Sequence, residues 1–168
     1  LKIMFKAAKI ADEALASFVQ SYKENKQIFQ TELDIALFLE KKIREQGATL
    51  SFPTIVATKP NSAIPHHVTS TDKLRPGLLL IDMGAQYQGY ASDMTRMFSI
   101  GKPSKEEQAD FDILDKVQRA CIKEAQKNAQ NRNFQLQDLN EFAKDQLKDN
   151  AEFFIHSLGH GIGVEVHE

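Results

Sequence analysis

The chain has 168 residues, enough for one domain that buries roughly 68–70% of its unfolded surface without disulfide staples. Its 21 basic and 23 acidic side chains leave a net charge of −2, with no long block of either sign, which argues against a nucleic-acid partner. The longest apolar run, Ile35 to Leu39, falls far short of the ~20 residues that cross a bilayer, and the lone Cys121 cannot form an internal bridge, so a soluble, cytoplasmic protein is expected.

Apolar residues Ile3, Met4, Ala7, Ala8, Ala11, Ala14, Leu15, Phe18 and Val19 recur at spacings of three and four, which predicts an amphipathic helix from Leu1 to about Tyr22. The pattern opens at the first residue with no capping side chain, so further chain is expected before it. Thr31 is placed to cap a second helix carrying Leu33, Leu37, Leu39 and Ile43. Lys41, Lys42 and Arg44 load its last turns, and Gly47 supplies a left-handed stop. Phe52–Ala57, Leu78–Ile81 and Tyr90–Ile100 read as strands, with Gly84 and Gly89 bracketing a loop between the last two.

Ser104-Lys105-Glu106-Glu107 has capping-box spacing and opens a long helix through Phe111, Leu114, Val117, Cys121 and Ala125. A further helix carries Leu136, Leu139, Phe142, Ala143 and Leu147, after which Phe153–Ile155 reads as a strand. The order helix, helix, strand is thus begun a second time, which predicts an α+β fold of two repeating halves with the second unfinished.

All five histidines fall in two groups, His66 with His67, and His156 with His160 and His167. A single histidine is most often a satisfied or solvent-facing side chain, but so tight a grouping weakens that account. Gly159, Gly161 and Gly163 allow close backbone approach around the second group. Asp82 follows four apolar residues and Asp93 lies within the next strand, so a hairpin is expected to bring the two carboxylates face to face in a partly buried place. Their partner is then Arg96, a turn amide beside Gly84, or a metal ion. Two carboxylates and an imidazole favour manganese, cobalt, iron or zinc over copper(I) or an iron–sulfur cluster. Ser157 lacks a nucleophile-elbow motif, Cys121 lies in mid-helix without a flanking histidine, and Gly159–Gly163 is not followed by the Lys-Ser/Thr of a phosphate loop.

The stretch Asp82-Met83-Gly84-Ala85-Gln86-Tyr87-Gln88-Gly89-Tyr90-Ala91-Ser92-Asp93-Met94-Thr95-Arg96, followed by His156-Ser157-Leu158-Gly159-His160-Gly161-Ile162-Gly163-Val164-Glu165-Val166-His167-Glu168, closely resembles the catalytic domain of the pita-bread metallopeptidases. The likeness is strongest to Xaa-Pro aminopeptidases and prolidases. It extends over essentially the whole chain, including Phe52-Pro53-Thr54-Ile55-Val56 and Asn61-Ser62-Ala63-Ile64-Pro65-His66-His67.

This resemblance implies two pseudo-symmetric helix-helix-strand halves around a curved antiparallel sheet. It implies a pair of divalent ions, manganese favoured, with Asp82, Asp93 and His160 as ligands and Asp93 bridging. His66, His156 and His167 are implied as histidines that line the substrate site without holding metal. The position of His67 is not always histidine in the family. The implied substrate is a small peptide with proline second, and the implied assembly a homodimer.

The family uses two further glutamate ligands beyond the histidine motif, and neither Glu165 nor Glu168 stands at a ligand position. Residues 1–168 are therefore expected to be an incomplete catalytic domain, lacking C-terminal strands and a separate N-terminal domain. Three relatives of the same fold compete with the proline-specific reading. Methionine aminopeptidases usually differ after the first histidine, where this chain has Val164-Glu165-Val166-His167-Glu168. A metal-free creatinase-like hydrolase, or a non-catalytic interaction module, is expected to lack the paired aspartates or other ligands. An ordinary mixed domain with a single metal explains the histidine groups less well.

Overall fold

The N-terminal periodicity folds as α1, Lys2–Glu24, in a computed structural model that describes residues 1–168. Its buried stripe is Ala7, Ile10, Ala11, Ala14, Leu15 and Phe18, and no side chain caps its start. Helix α2, Glu32–Glu45, opens on the expected Thr31, whose hydroxyl accepts the Asp34 amide at 3.2 Å while the Asp34 carboxylate accepts the Thr31 amide at 2.8 Å. It stops at Gln46 and Gly47, the glycine at φ +75°. The stripe it buries is Glu32, Ile35, Ala36, Leu39 and Ile43; Leu37 is 55% exposed, because two residues along a helix turn a side chain to the far side.

Six strands follow, β1 (Thr49–Leu50), β2 (Ile55–Thr58), β3 (Gly77–Met83), β4 (Ala85–Tyr87), β5 (Tyr90–Ala91) and β6 (Met94–Ile100). They form two three-stranded antiparallel sheets, ordered β1-β4-β5 and β2-β3-β6. The strand expected from Phe52 begins only at Ile55. Pro53 has no N–H for a ladder, and the Thr54 carbonyl is taken by the Thr69 hydroxyl at 2.9 Å.

The arms on either side of Gly84 and Gly89 form one hairpin, with Gln86 opposite Ala91 and Tyr87 opposite Tyr90. Its turn is two residues, Gln88 at φ +48° and Gly89 at φ +80°, the double left-handed geometry that suits strand twist. Tyr90–Ile100 is not one strand. It breaks at Ser92–Asp93, where the buried Ser92 hydroxyl receives the Ala85 amide at 2.9 Å and donates to the Ala85 carbonyl at 3.0 Å. At this point the hairpin passes from one sheet to the other. Gly84 lies against the Ser92 carbonyl so closely that a Cβ would overlap it.

These elements, with residues 162–168, make one compact unit, Leu1–Pro103 and Ile162–Glu168. Its core joins the stripes of α1 and α2 to Val56, Leu79, Ile81, Met83 and Ala85. Phe18 meets Phe29 and Phe98 edge-on at centroid distances of 5.2 and 5.8 Å. The Ala91 amide donates to the Gly163 carbonyl at 2.8 Å, which ties the last residues to β5.

The second unit is Ser104–Gly161. Helix α3, Lys105–Asn128, has the expected capping box of Ser104 and Glu107. Helix α4 is Leu136–Leu147. Val117 and Cys121 of α3 pack on Ala143 and Leu147 of α4, with Ile113, Leu139 and Phe142 around them. The strand expected at Phe153–Ile155 is absent. A strand exists by pairing, and here the backbone bonds to itself instead, Phe154 to the Ala151 carbonyl and Ile155 to the Phe153 carbonyl, both at 3.1 Å. No helix of the protein is long and apolar enough to cross a membrane.

Candidate active site

Alternation along β3 turns Leu79, Ile81 and Met83 to the core and Asp82 to the other face, where it is half-buried. The residue opposite Asp82 in the ladder is Thr95, whose hydroxyl donates to Asp82 Oδ1 at 2.9 Å. Asp93 lies two residues before Thr95, so it is the diagonal neighbour of Asp82 and not the residue directly across from it. The two carboxyls still meet through a side-chain hydrogen bond. Arg96 stands opposite Ile81, is exposed, and donates to the Thr95 carbonyl at 2.9 Å.

Burial pushes the Asp82 carboxyl above its ordinary range; the Thr95 hydroxyl pulls the other way, and the neighbouring Asp93 charge adds to the rise. His66, exposed on its turn, acts on Asp82 through its charge and favours the ionised form. A carboxyl raised in the folded state weighs against stability above its folded pKa and weighs less as pH falls. Ionising Asp82 in this place is therefore costly.

His66 occupies the third position of a turn over Ile64–His67, closed by the His67 amide on the Ile64 carbonyl at 3.1 Å. Pro65 supplies the second position, and His66 itself is left-handed at φ +55°. Glycine or asparagine is the usual occupant there, and the left-handed conformation costs other residues roughly 1–2 kcal/mol.

The turn is tethered by Glu32, which is fully buried at 0% exposure. The Glu32 carboxylate accepts the Thr58 amide at 2.9 Å, the Asn61 side-chain amide at 3.0 Å and His67 Nε2 at 2.8 Å. A carboxylate in these surroundings only accepts, so His67 carries its proton on Nε2. Sequence reasoning missed Glu32. Its signal was the spacing of three and four to Ile35 and Ala36, which sets it on the buried stripe.

In the second unit, His156 Nδ1 bonds the Ser157 carbonyl at 2.7 Å and His160 Nδ1 bonds the Gly161 carbonyl at 2.9 Å. A carbonyl cannot donate, so each ring carries a proton at Nδ1, which leaves Nε2 as the nitrogen that can act as a ligand. The Asn140 side-chain oxygen of α4 accepts the Leu158 amide at 3.0 Å and anchors the segment between them. The His156 ring also meets Phe154 edge-on at 4.9 Å.

His167 is exposed in the last residues of the first unit. Beside it the Glu168 carboxylate folds back onto the amides of Val164 and Glu165 at 2.8 and 3.2 Å, in the space that a side chain at Gly163 would fill. Glu165 is exposed.

The structure thus brings together Asp82 and Asp93 in the first unit, with His66 on a turn of the same unit, and sets His156 and His160 on one segment of the second. No three His, Cys, Asp or Glu side chains gather in the arrangement of a metal site. The chemistry of the donors nevertheless fits a divalent cation. Two neighbouring, half-buried carboxyl groups suit a hard or borderline ion, and an imidazole protonated at Nδ1 presents Nε2 as a ligand.

Residues 2–168 match the model of metallopeptidase family M24, and the chain belongs to that family. It is 33% identical to the Xaa-Pro dipeptidase of Pyrococcus furiosus, an alignment covering 100% of this chain and 47% of that protein. The solved prolidase of Thermococcus sibiricus matches with a TM-score of 0.86 at 34% identity, over 99% of this chain and 44% of that one. The X-Pro aminopeptidase of Thermotoga maritima matches with a TM-score of 0.83 at 32% identity, over 99% of this chain and 46% of that one. The fold is therefore the pita-bread fold of the prolidases. The chain spans about half the length of the curated relatives it matches.

Proposed function

We propose that the protein hydrolyses the N-terminal Xaa-Pro bond of small peptides or dipeptides, and that Asp82, Asp93 and His160 would be ligands to its two divalent ions. Manganese is favoured over cobalt, zinc or iron. The observation that carries the reading is the pair of neighbouring carboxyls at β3 and the start of β6, with Asp82 half-buried and raised by burial and by Asp93. Membership of a metallopeptidase family and likeness to proteins named Xaa-Pro dipeptidase support it.

When bound, the ions supply Lewis-acid polarisation of the scissile carbonyl and lower the pKa of an attacking water. The chain supplies the rest. The tertiary Xaa-Pro amide has no N–H to grip, so recognition falls on the substrate's free amine, its carbonyl and the proline ring. His66 is assigned as a donor toward the developing oxyanion, since its charge acts on Asp82. His156 is assigned to proton transfer at Nε2, since its Nδ1–H is committed to the Ser157 carbonyl. His167 is assigned to the substrate side of the site. The working assembly is a cytoplasmic homodimer, in keeping with the resemblance.

The test is metal content together with hydrolysis of an Xaa-Pro peptide against an Xaa-Ala control, on the natural full-length protein supplied with manganese or cobalt. Two ions per chain and selective Xaa-Pro cleavage are expected, with Asp93→Ala lowering kcat/KM by more than about 10³-fold. Equal cleavage of both peptides would refute proline specificity, and a fully active Asp93→Ala protein would refute the ligand assignment.

A further inference from the structure

Glu32 has three partners on the chain between Thr58 and His67, and they are spaced along it. Thr58 ends β2, Asn61 lies in the 3₁₀ turn Lys59–Ala63, and His67 closes the turn that carries His66. The backbone at the start of α2 holds the segment that follows: the Glu32 amide donates to the Asp72 carbonyl and the Leu33 amide to the Ser70 carbonyl, both at 3.0 Å. Asn61 bonds the Asp72 carboxylate at 3.0 Å as well. One end of one helix therefore grips the loop at its beginning, middle and end.

A carboxylate at 0% exposure is costly to bury unless its bonds are made, so this arrangement is worth more to the fold as a set than any one bond would be alone. Its place in the first turn of α2 puts the charge at the positive end of the helix dipole. What the set holds is a histidine in a backbone conformation that it would not adopt freely, at φ +55°. Strained backbone persists where surrounding contacts over-determine it, and here those contacts converge on Glu32.

We infer that Glu32 is a positioning residue for the site: through Asn61 and His67, its buried carboxylate fixes the turn that carries His66. The inference rests on the assignment of His66 to the substrate site made above. His67 thereby gains a role of its own, as the link between the buried carboxylate and its neighbour in sequence.

The test compares Glu32→Gln and His67→Gln with the wild type in the manganese-loaded full-length protein, reading amide hydrogen exchange and steady-state kinetics on an Xaa-Pro peptide. Gln at 32 keeps the shape but offers one acceptor in place of two. The His67 amide, which closes the turn, is expected to lose about tenfold or more of its protection while Leu79 and Ile81 in β3 keep theirs. In the same protein kcat is expected to fall about tenfold with KM within about twofold, and the kept protection of Leu79 and Ile81 with unchanged metal content separates this from a general loss of folded enzyme, which also lowers apparent kcat at constant KM.

His67→Gln spares the other two bonds and should move both readouts the same way by less. If Glu32→Gln does not fold, His67→Gln decides. Full protection at His67, or a loosened turn with unchanged kcat, would overturn the inference. A wild type without peptidase activity would overturn the functional reading instead. The exchange arm would still decide the tether: protection lost at His67 upholds it, and protection kept overturns it.

Discussion

Asp34 stands in the first turn of α2, where its carboxylate takes the amides of Gln30 at 2.9 Å and Thr31 at 2.8 Å. The Gln30 amide, followed by the Thr31 hydroxyl and amide, holds it below the ordinary carboxylate value of 3.8. A depressed folded pKa contributes stability above the unfolded pKa and loses it as pH falls through the folded one. Asp34→Ala is therefore expected to cost about 1 kcal/mol at pH 7, and the gap to wild type should close as pH drops below about 4. Urea denaturation across that range checks both statements; a gap that does not narrow as pH falls would reject the linkage.

Some residues announce themselves in the sequence and others do not. Thr31, Ser104 and Gly47 were legible because capping and left-handed stops depend on the residue type itself. Glu32 was not, since its charge argues for solvent while its spacing argues for the core, and only the three-dimensional supply of donors decides between them. His66 conceals its left-handed backbone for a similar reason: nothing in its chemistry asks for a positive φ, and the neighbours that enforce it lie far away along the chain.

The β3–β6 hairpin shows how small geometric choices govern a site. A two-residue turn at Gln88–Gly89 places Asp82 opposite Thr95, whereas a turn one residue earlier, at Tyr87–Gln88, would have set it opposite Asp93. The strand pattern was readable, but register was not, because it depends on turn position and length. The break at Ser92–Asp93 was equally hidden, since it comes from the close approach of Gly84 to the Ser92 carbonyl. Gly84→Ala is expected to destabilise by about 2 kcal/mol or more, because the added Cβ meets backbone and the ring of Phe52 at 3.0 Å, neither of which can yield cheaply. Gly89→Ala meets open space and should cost only about 1 kcal/mol, the penalty of its left-handed φ. Thermal denaturation of the two variants gives the order; Gly84→Ala proving the milder would contradict the packing argument.

For the whole molecule, the like charges at Asp82 and Asp93 couple cation binding to folding. Anything that binds the native state alone stabilises it by mass action, and a divalent ion also relieves the repulsion between the pair. Manganese at ten times its dissociation constant is expected to raise Tm by roughly 3–6 °C, and Asp93→Ala should remove most of that rise. A differential scanning experiment with and without chelator measures it; an equal rise in the variant would place the ion elsewhere. The α+β class and its helix order were legible from periodicity alone, while the strand expected at Phe153–Ile155 failed because strands, unlike helices, require a partner.

Cys121 lies between α3 and α4 at 4% exposure, and burial raises its thiol above the ordinary value. It is the only sulfhydryl in the chain. A thiol reagent therefore has a single address, reachable only when the helical pair parts, and its rate of reaction serves as a stopwatch for that opening. The β-containing unit carries no such label, so the protein comes with a built-in probe that times one of its two parts and is silent about the other.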